Sequence, residues 1–512
     1  MKIFQNNLLY YFIILYILGA VATLANEPFS IFPLIFALGL GIYLINFTPS
    51  LLKTFVSGWI LGFGWFSVGL YWIGSAFIVA DTYTIFLMPV AILLLPSLLA
   101  VFWGLACVSA KFISRNKKFS IINIIVFISL FEYLRAKIFT GFPWLMPSMI
   151  FSSNEYLIQV FSFIGSFSAN LVVLTISVLP LILLSSFKGK YTLSFLLLIP
   201  IITLFFLGIV RYNSKNLLQS SNQLITIVQP NIKQKNKWDL RKRDQHLNKL
   251  AMLSTSNKDD IMYMNNIIIW PETSFAGSIP GEIKLLSDIS KKILKNSKSI
   301  LIVGLLRSDE SNLFNSLVFL NSKGQIIYRY DKTKLVPFGE YIPFRKHLNL
   351  ISDFLPQKDF SRGNLNPNPY LDGVGNIITL ICYEILFTDD LMNRISKNTN
   401  LLINITNDAW FGKTIGPHQH LALAKIKAVE FGLPLVRVAN TGISVFVSPY
   451  GEIISKIPLN KESAKTFNLI PGLKNTLYKT YGELTFVLSI LILIIINKTY
   501  ISNYRENLFY EK

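Results

Sequence analysis

The chain of 512 residues is longer than one compact domain usually runs, and 52% of it is hydrophobic against 15% charged, with a mean hydropathy of +0.48. That balance excludes a wholly soluble protein. The formal net charge of +20 invites an anionic partner, but nucleic acid is the weakest choice once the apolar runs are placed.

Those runs come first in the chain. A bilayer-spanning helix needs about 20 apolar residues. Seven stretches approach that length before residue 211, at about 8–24, 29–46, 54–77, 84–110, 120–137, 158–186 and 193–210, and an eighth lies at 483–497. Positively charged short loops stay in the cytoplasm. Lys2, Lys53, the cluster Lys111, Arg115, Lys117 and Lys118, the pair Lys188 and Lys190, and the tail with Lys498, Arg505 and Lys512 all fall on one side. Of the opposite short loops only that with Arg135 and Lys137 carries such charge. The pattern predicts residues 1–210 as a membrane domain of seven spans, 211–480 as an extracytoplasmic domain, and 481–512 as a last span with a cytoplasmic tail. A cleaved signal peptide is the alternative for the first run, but no small-residue cleavage site stands out and its loss would break the charge parity.

Residues 211–480 hold 35 Lys plus Arg against 21 Asp plus Glu. A basic face beside a bilayer attracts anionic head groups; a Lys- and Asn-rich composition with a merely solvated surface explains it equally well. Short Ile-, Leu- and Val-rich runs at 223–229, 266–270, 299–306, 376–382, 400–405 and 433–438 read as strands of a buried sheet. Stretches 239–253, 282–294 and 421–431 read as helices, and 316–320 with 325–330 as a hairpin. The layout predicts a layered α/β domain.

Three polar residues lie at ends of those strands, where α/β sheets place their sites. Pro271 halts a strand and presents Glu272 at its tip, Lys332 follows the hairpin, and Cys382 ends a strand at the turn Cys382-Tyr383-Glu384. The only other cysteine, Cys107, falls in the fourth span, so Cys382 is expected to be a free thiol. A lone thiol in a strand is more often packing than a nucleophile, but this setting favours chemistry: a helix N-terminus after Cys382 is expected to stabilise its thiolate. A carboxylate to take the thiol proton and an ammonium to hold a developing oxyanion complete a set sufficient for acyl transfer. No metal or cofactor is required. Lys334 competes with Lys332, since alternation in an extended chain puts both on one face. His418 and His420 lack a third ligand nearby in sequence, which favours packing or loop ordering over metal binding. Glu132 and Arg135, costly at membrane depth, are expected to pair or to meet a head group.

The strings Trp270-Pro271-Glu272-Thr273, Lys332 through Pro337-Phe338-Gly339-Glu340, and Ile381-Cys382-Tyr383-Glu384 resemble the nitrilase superfamily. Val228-Gln229-Pro230-Asn231 with Trp238, Asn407-Asp408-Ala409-Trp410-Phe411-Gly412, Pro417-His418-Gln419-His420, Asn440-Thr441-Gly442 and Thr140-Gly141-Phe142-Pro143-Trp144 narrow the likeness to its membrane branch. The whole chain is thus similar to the apolipoprotein N-acyltransferase family of the Gram-negative inner membrane. The resemblance implies a multi-pass helical membrane domain of about eight spans and a nitrilase-like α-β-β-α sandwich facing the periplasm. It also implies transfer of a fatty acyl group from the sn-1 position of a phospholipid, typically phosphatidylethanolamine, through a Cys382 thioester to the amine of a diacylated apolipoprotein. By match to the family's motifs Glu272 is the base, Lys332 the charge stabiliser, chosen over Lys334 by its offset of eight residues from Glu340, and Cys382 the nucleophile. Glu340, Tyr383, Glu384 and Trp238 match supporting positions. Trp410, Phe411 and Trp144 are candidates for the acyl-chain entrance, with packing as the alternative. The expected state is a monomer. Two rival readings are a membrane-tethered amidase with water as acceptor, and a transporter or receptor. The latter usually carries charge deep in several spans, which these runs lack.

Overall fold

The computed structural model describes residues 7–80, 83–114, 121–185, 189–217, 220–255, 264–343, 345, 359–364 and 366–510. The loop charges Lys2, Arg115, Lys117, Lys118, Lys188 and Lys512 lie outside the described residues. The chain forms two compact units: residues 1–74, 87–215 and 475–512, and residues 75–86 with 216–474.

The first unit is helical. Up to residue 215 its helices are α1 (Leu8–Ala22), α2 (Ile35–Ile45) and α3 (Leu51–Gly69), then, after α4 (Ser75–Ala80) of the other unit, α5 (Met88–Ile113), α6 (Ile121–Lys137), α7 (Val160–Leu184) and α8 (Lys190–Asn213), and two more, Leu477–Tyr481 and Leu484–Tyr510, lie in its C-terminal part. Among the described residues five helical segments are long and apolar enough to cross a membrane: Leu8–Ala25, Leu51–Gly69, Ile85–Ile113, Leu157–Leu184 and Lys190–Asn213. The runs predicted at 29–46, 120–137 and 483–497 fold as shorter apolar stretches. The run predicted at 54–77 is not one helix: α3 stops at Gly69, a 3-10 turn follows, and Ser75 begins α4 in the second unit. In α6 the expected pairing is present. Arg135 binds both oxygens of Glu132 and the Phe142 carbonyl, while Trp103 Nε1 donates to Glu132 Oε1 at 2.7 Å, so no charge is left bare.

The second unit holds two sheets. In chain order its strands are β1 (Leu224–Gln229), β2 (Asn266–Ile269), β3 (Phe275–Ile279), β4 (Ile300–Asp309), β5 (Asn312–Asn321), β6 (Ile326–Asp331), β7 (Tyr370–Leu371), β8 (Gly375–Ile381), β9 (Thr399–Thr406), β10 (Leu435–Ala439), β11 (Ser444–Val447), β12 (Ile453–Ile457) and β13 (Ser463–Asn468). One sheet runs β13-β1-β2-β4-β5-β6, with β3 beside β4; the other runs β12-β11-β10-β9-β8-β7. Alternate residues of both sheets, among them Ile227, Ile269, Leu317, Phe319, Ile381, Ile403, Ile405 and Val438, are buried together as the inter-sheet core. The opposite phase of the first sheet, Ile268, Trp270, Val303 and Val318, packs against Leu247 and Leu250 of α10 (Arg243–Thr255) and Leu286 and Ile293 of α11 (Ile283–Ile293). The helix α9 (Gln234–Lys237) precedes them. Helices α12 (Thr388–Arg394) and α13 (Gly416–Phe431) follow β8 and β9. Each buried Ile, Leu or Val in these layers contributes roughly 1.5–3 kcal/mol.

The α-β-β-α layering expected from the resemblance is present. Three local expectations change. Residues 240–242 form a 3-10 turn capped by Asp239, so α10 begins at Arg243 and not at 239. Helix α13 starts at Gly416, five residues before the predicted start, because Pro417 is tolerated in a first turn. The predicted layout left out β3, β7, β11, β12 and β13; β12 and β13 mix polar residues with apolar ones and are largely exposed or half-buried, and β7 is two residues long.

Candidate active site

Glu272 sits three residues past the end of β2, in a turn that descends onto β4. A side chain at Gly304 of β4 would place its Cβ 2.5 Å from the Pro271 carbonyl and 2.7 Å from Glu272 Cα, so the close approach of this turn requires glycine. Lys332 leaves the end of β6, and its backbone N–H donates to the Asn315 carbonyl at 2.8 Å. Its ammonium lies 2.9 Å from Glu340 Oε1 and 3.8 Å from Glu272 Oε1, in a site where Lys332 is 1% exposed. Cys382 closes β8 with φ of +53°, a strained conformation for a side chain with Cβ.

Glu272, Lys332 and Cys382 therefore converge at one end of the sheets, near enough that each charge acts on the others. Burial alone would lower the Lys332 ammonium, but the charges of Glu340, Glu272 and Cys382 together outweigh it and hold it well above its usual value. Lys332 is accordingly a fixed cation and not a base. Burial, then the charge of Glu272, pushes the Cys382 thiol up to about 12, against the opposing pull of Lys332. This corrects the expectation of a thiolate stabilised by a helix N-terminus. Only a five-residue 3-10 turn, Cys382–Leu386, follows the cysteine, and desolvation outweighs so short a dipole. Cys382 is a free, half-buried thiol.

Two family models match the chain: the apolipoprotein N-acyltransferase N-terminal domain over residues 18–179 and carbon-nitrogen hydrolase over residues 224–469. Three relatives named apolipoprotein N-acyltransferase align over nearly full length. The Rhodopseudomonas palustris protein is 31% identical, covering 94% of each chain. The Rickettsia prowazekii protein is 31% identical over 95% of this chain and 97% of its own, and the Rhizobium etli protein 33% over 94% and 95%. The chain belongs to the apolipoprotein N-acyltransferase family.

In this member of the acyltransferase family the remaining motif residues divide. Glu340 binds Lys332 and accepts the Val336 N–H at 2.9 Å. Glu384 is buried and receives Tyr330, Thr333, Lys334 and Ile381. Tyr383 is buried edge-on against Phe387, with ring centroids 5.0 Å apart. Trp238 is 46% exposed and follows the buried Lys237 at the end of α9. Trp410 is 40% exposed, Phe411 is half-buried against His420, and Trp144 is buried against Trp72. Lys334 does not share a face with Lys332: the chain is no longer a strand after Asp331, and Lys334 turns to Asp390 at 3.5 Å. His420 is held by Asp408 and Arg437, while His418 is half-buried.

Two further residues of the candidate site are not singled out by the sequence. Asn315 Nδ2 bridges Glu272 Oε1 at 2.7 Å and Glu340 Oε1 at 3.0 Å. It shares its phase on β5 with Leu317 and Phe319 of the inter-sheet core, and a polar residue in that phase was a readable signal. Lys237 is 3% exposed and donates to the Glu272 carbonyl at 3.1 Å. Nothing in the Lys- and Arg-rich stretch 233–243 distinguishes it from its neighbours.

Proposed function

We propose that this chain takes a fatty acyl group from the sn-1 ester of a phospholipid, phosphatidylethanolamine, and delivers it to the α-amine of diacylglyceryl-cysteine in an apolipoprotein. The carrying observation is the meeting of a carboxylate, a permanently charged ammonium and a protonated thiol around one point. A thiol held near 12 does not ionise on its own at neutral pH, so its proton must leave as the sulfur attacks. Glu272 takes that proton. Lys332 holds the carbonyl oxygen as it becomes negative. Collapse expels the lysophospholipid oxygen, which recovers the proton from Glu272 and leaves an acyl-thioester on Cys382. The acceptor amine then attacks, gives a proton to Glu272, and the departing sulfur regains it as a thiol. Ester and amine become alcohol and amide, and no cofactor enters.

The same reading takes residues 1–210 and 481–512 as an eight-span inner-membrane domain, residues 211–480 as the periplasmic catalytic domain, and the working unit as a monomer. The five long apolar helices support it, since both lipid substrates reside in the bilayer. Detergent-solubilised protein incubated with acyl-labelled phospholipid tests it. Label should remain on the wild type as a thioester and be absent from Cys382→Ala. Rapid small-amide hydrolysis with no retained label would replace it by the amidase reading.

A further inference from the structure

Three strings that carried the family likeness take no part in the acid, ammonium and thiol set: Asn407–Gly412, Pro417–His420 and Asn440–Gly442. They meet at one buried carboxylate. Asp408 accepts both contacts of Arg437 Nη2, at 3.0 and 2.8 Å, and lies 3.0 Å from His420 Nδ1. A side chain at Gly442 would place its Cβ 2.4 Å from Asp408 Oδ2, so only glycine lets that loop close over the carboxylate. An arginine–aspartate pair this deeply buried is a poor means of adding stability. The other nitrogen of the guanidinium gives the pair a different use.

Arg437 Nη1 donates to Oδ1 of Asn404, its partner in the register of β10 with β9. Asn404 is fully buried, between Ile403 and Ile405 of the inter-sheet core and on the opposite phase of β9. A polar side chain there is costly unless its amide is engaged at both ends. A guanidinium only donates, so the amide oxygen must face Arg437 and the amino group must face away from it. On that side Nδ2 meets the Cys382 carbonyl at 3.2 Å, with the Leu380 carbonyl at 3.5 Å. Two anchors thus enclose the nucleophile: Glu384 takes the Ile381 N–H at 2.8 Å, and Asn404 takes the carbonyl of Cys382 itself. Between them Cys382 has a φ of +53°, which a residue with Cβ adopts when its surroundings impose it. A trans peptide is planar, so the Tyr383 N–H points opposite to the held carbonyl and its direction is set by the same contact.

We propose that Asn404, steered by the Arg437–Asp408 pair, is a positioning residue for acyl transfer: it holds the Cys382 carbonyl, and with it the left-handed backbone that aims the sulfur and the N–H that follows. This rests on the reading of Cys382 as the acyl-accepting nucleophile. Attack needs the sulfur, the ester carbon and the donors to its oxygen aligned to within about an ångström. A carbonyl free to swing would let Cys382 relax toward right-handed backbone and carry both sulfur and N–H off that line. Asn404 itself forms no bond to the acyl group and exchanges no proton.

The test uses full-length protein in detergent. Asn404→Leu keeps the bulk and removes both amide contacts, and Asn404→Asp keeps the acceptor for Arg437 while turning an oxygen toward the Cys382 carbonyl. Arg437→Lys keeps a cation for Asp408 without the planar fork that reaches Asn404 from a second nitrogen. Acyl-thioester formation is followed against phospholipid concentration, beside the melting temperature and backbone deuterium exchange across β8 and the turn Cys382–Leu386. Each variant should lower the maximal rate roughly 10- to 100-fold, the scale of a misplacement by about an ångström, with the half-saturating lipid concentration unchanged. Exchange should rise in the turn and stay at the wild-type level in β8. In the double variant Asn404→Leu with Arg437→Lys the loss should fall well short of the product of the two, since both act through one contact. A folded Asn404 variant that loads at the wild-type rate overturns the inference, as do a loss confined to the half-saturating concentration and losses that multiply. Should the leucine variant not fold, the aspartate variant takes its place in every readout. Exchange needs no lipid, so wild-type exchange in the turn of a folded variant also overturns the inference, whereas the acyl-transfer reading fails separately if Cys382→Ala still retains label.

Discussion

Glu384 Oε1 accepts the backbone N–H of Thr333 at 2.6 Å, while its other oxygen accepts the N–H of Ile381 at 2.8 Å. One carboxylate thereby ties the residue after Lys332 to the residue before Cys382, joining the C-terminal ends of β6 in one sheet and β8 in the other. The Oε1 atom also receives the Thr333 and Tyr330 hydroxyls and the Lys334 N–H. Buried donors that lose a charged acceptor cost about 1.5–3 kcal/mol each. Glu384→Gln replaces one acceptor oxygen with a donor and sets it against donors. The expected outcome is a lower melting temperature together with a fall in the rate of thioester formation, because Lys332 and Cys382 lose their common anchor. A variant that melts and reacts like the wild type would mean that the two strands are held by packing alone.

Glu272→Gln separates ionisation of the thiol from catalysis. The charge of Glu272 is one of the causes that raise Cys382 to about 12. Removing it should move the thiol down, so iodoacetamide modifies Cys382 faster at pH 8 in the variant than in the wild type. Acyl transfer should nonetheless fall by roughly 10²–10⁴-fold, the usual contribution of a general base. Slower alkylation in the variant would show that Glu272 already assists loss of the thiol proton in the resting enzyme, contrary to a base that acts only during attack.

What could be read in the sequence follows from which residues stand out against their surroundings. Glu272, Lys332 and Cys382 sit at ends of apolar strands, where period and a following proline or turn mark them. The inter-sheet core was legible for the same reason, since unbroken Ile- and Leu-rich runs admit few other uses. Asn315 lies inside a strand, and its task depends on Glu272 and Glu340 arriving from distant segments. The 3-10 turn at Cys382–Leu386 was mistaken for a helix start, because one turn of either looks alike over five residues. The end of α3 at Gly69 was equally hidden: apolar residues continue through Ile73, and hydropathy does not register a change of direction.

Lys237 gives an expectation whose sign can be worked out. Burial lowers its ammonium to about 8, although Glu272 and Cys382 act to raise it. Its folded value lies below its ordinary value of 10.5, so between about pH 8 and 10.5 the unfolded chain binds more protons than the folded one. Stability contributed by this group therefore rises with pH across that window, and the full penalty, about 3 kcal/mol, applies below it. Lys237→Met removes the penalty but also the hydrogen bond to the Glu272 carbonyl, which offsets about 1–3 kcal/mol. The melting temperature of the methionine variant relative to wild type should thus be highest near pH 7 and decline as pH approaches 10. Loading of Cys382 from phospholipid, measured without acceptor amine, should show in the wild type a decline above pH 8 as the cation beside Glu272 discharges. That limb should be missing in Lys237→Met, at a lower overall rate. A melting difference that grows with pH, or an unchanged basic limb in the variant, would assign the ionisation near 8 to another group.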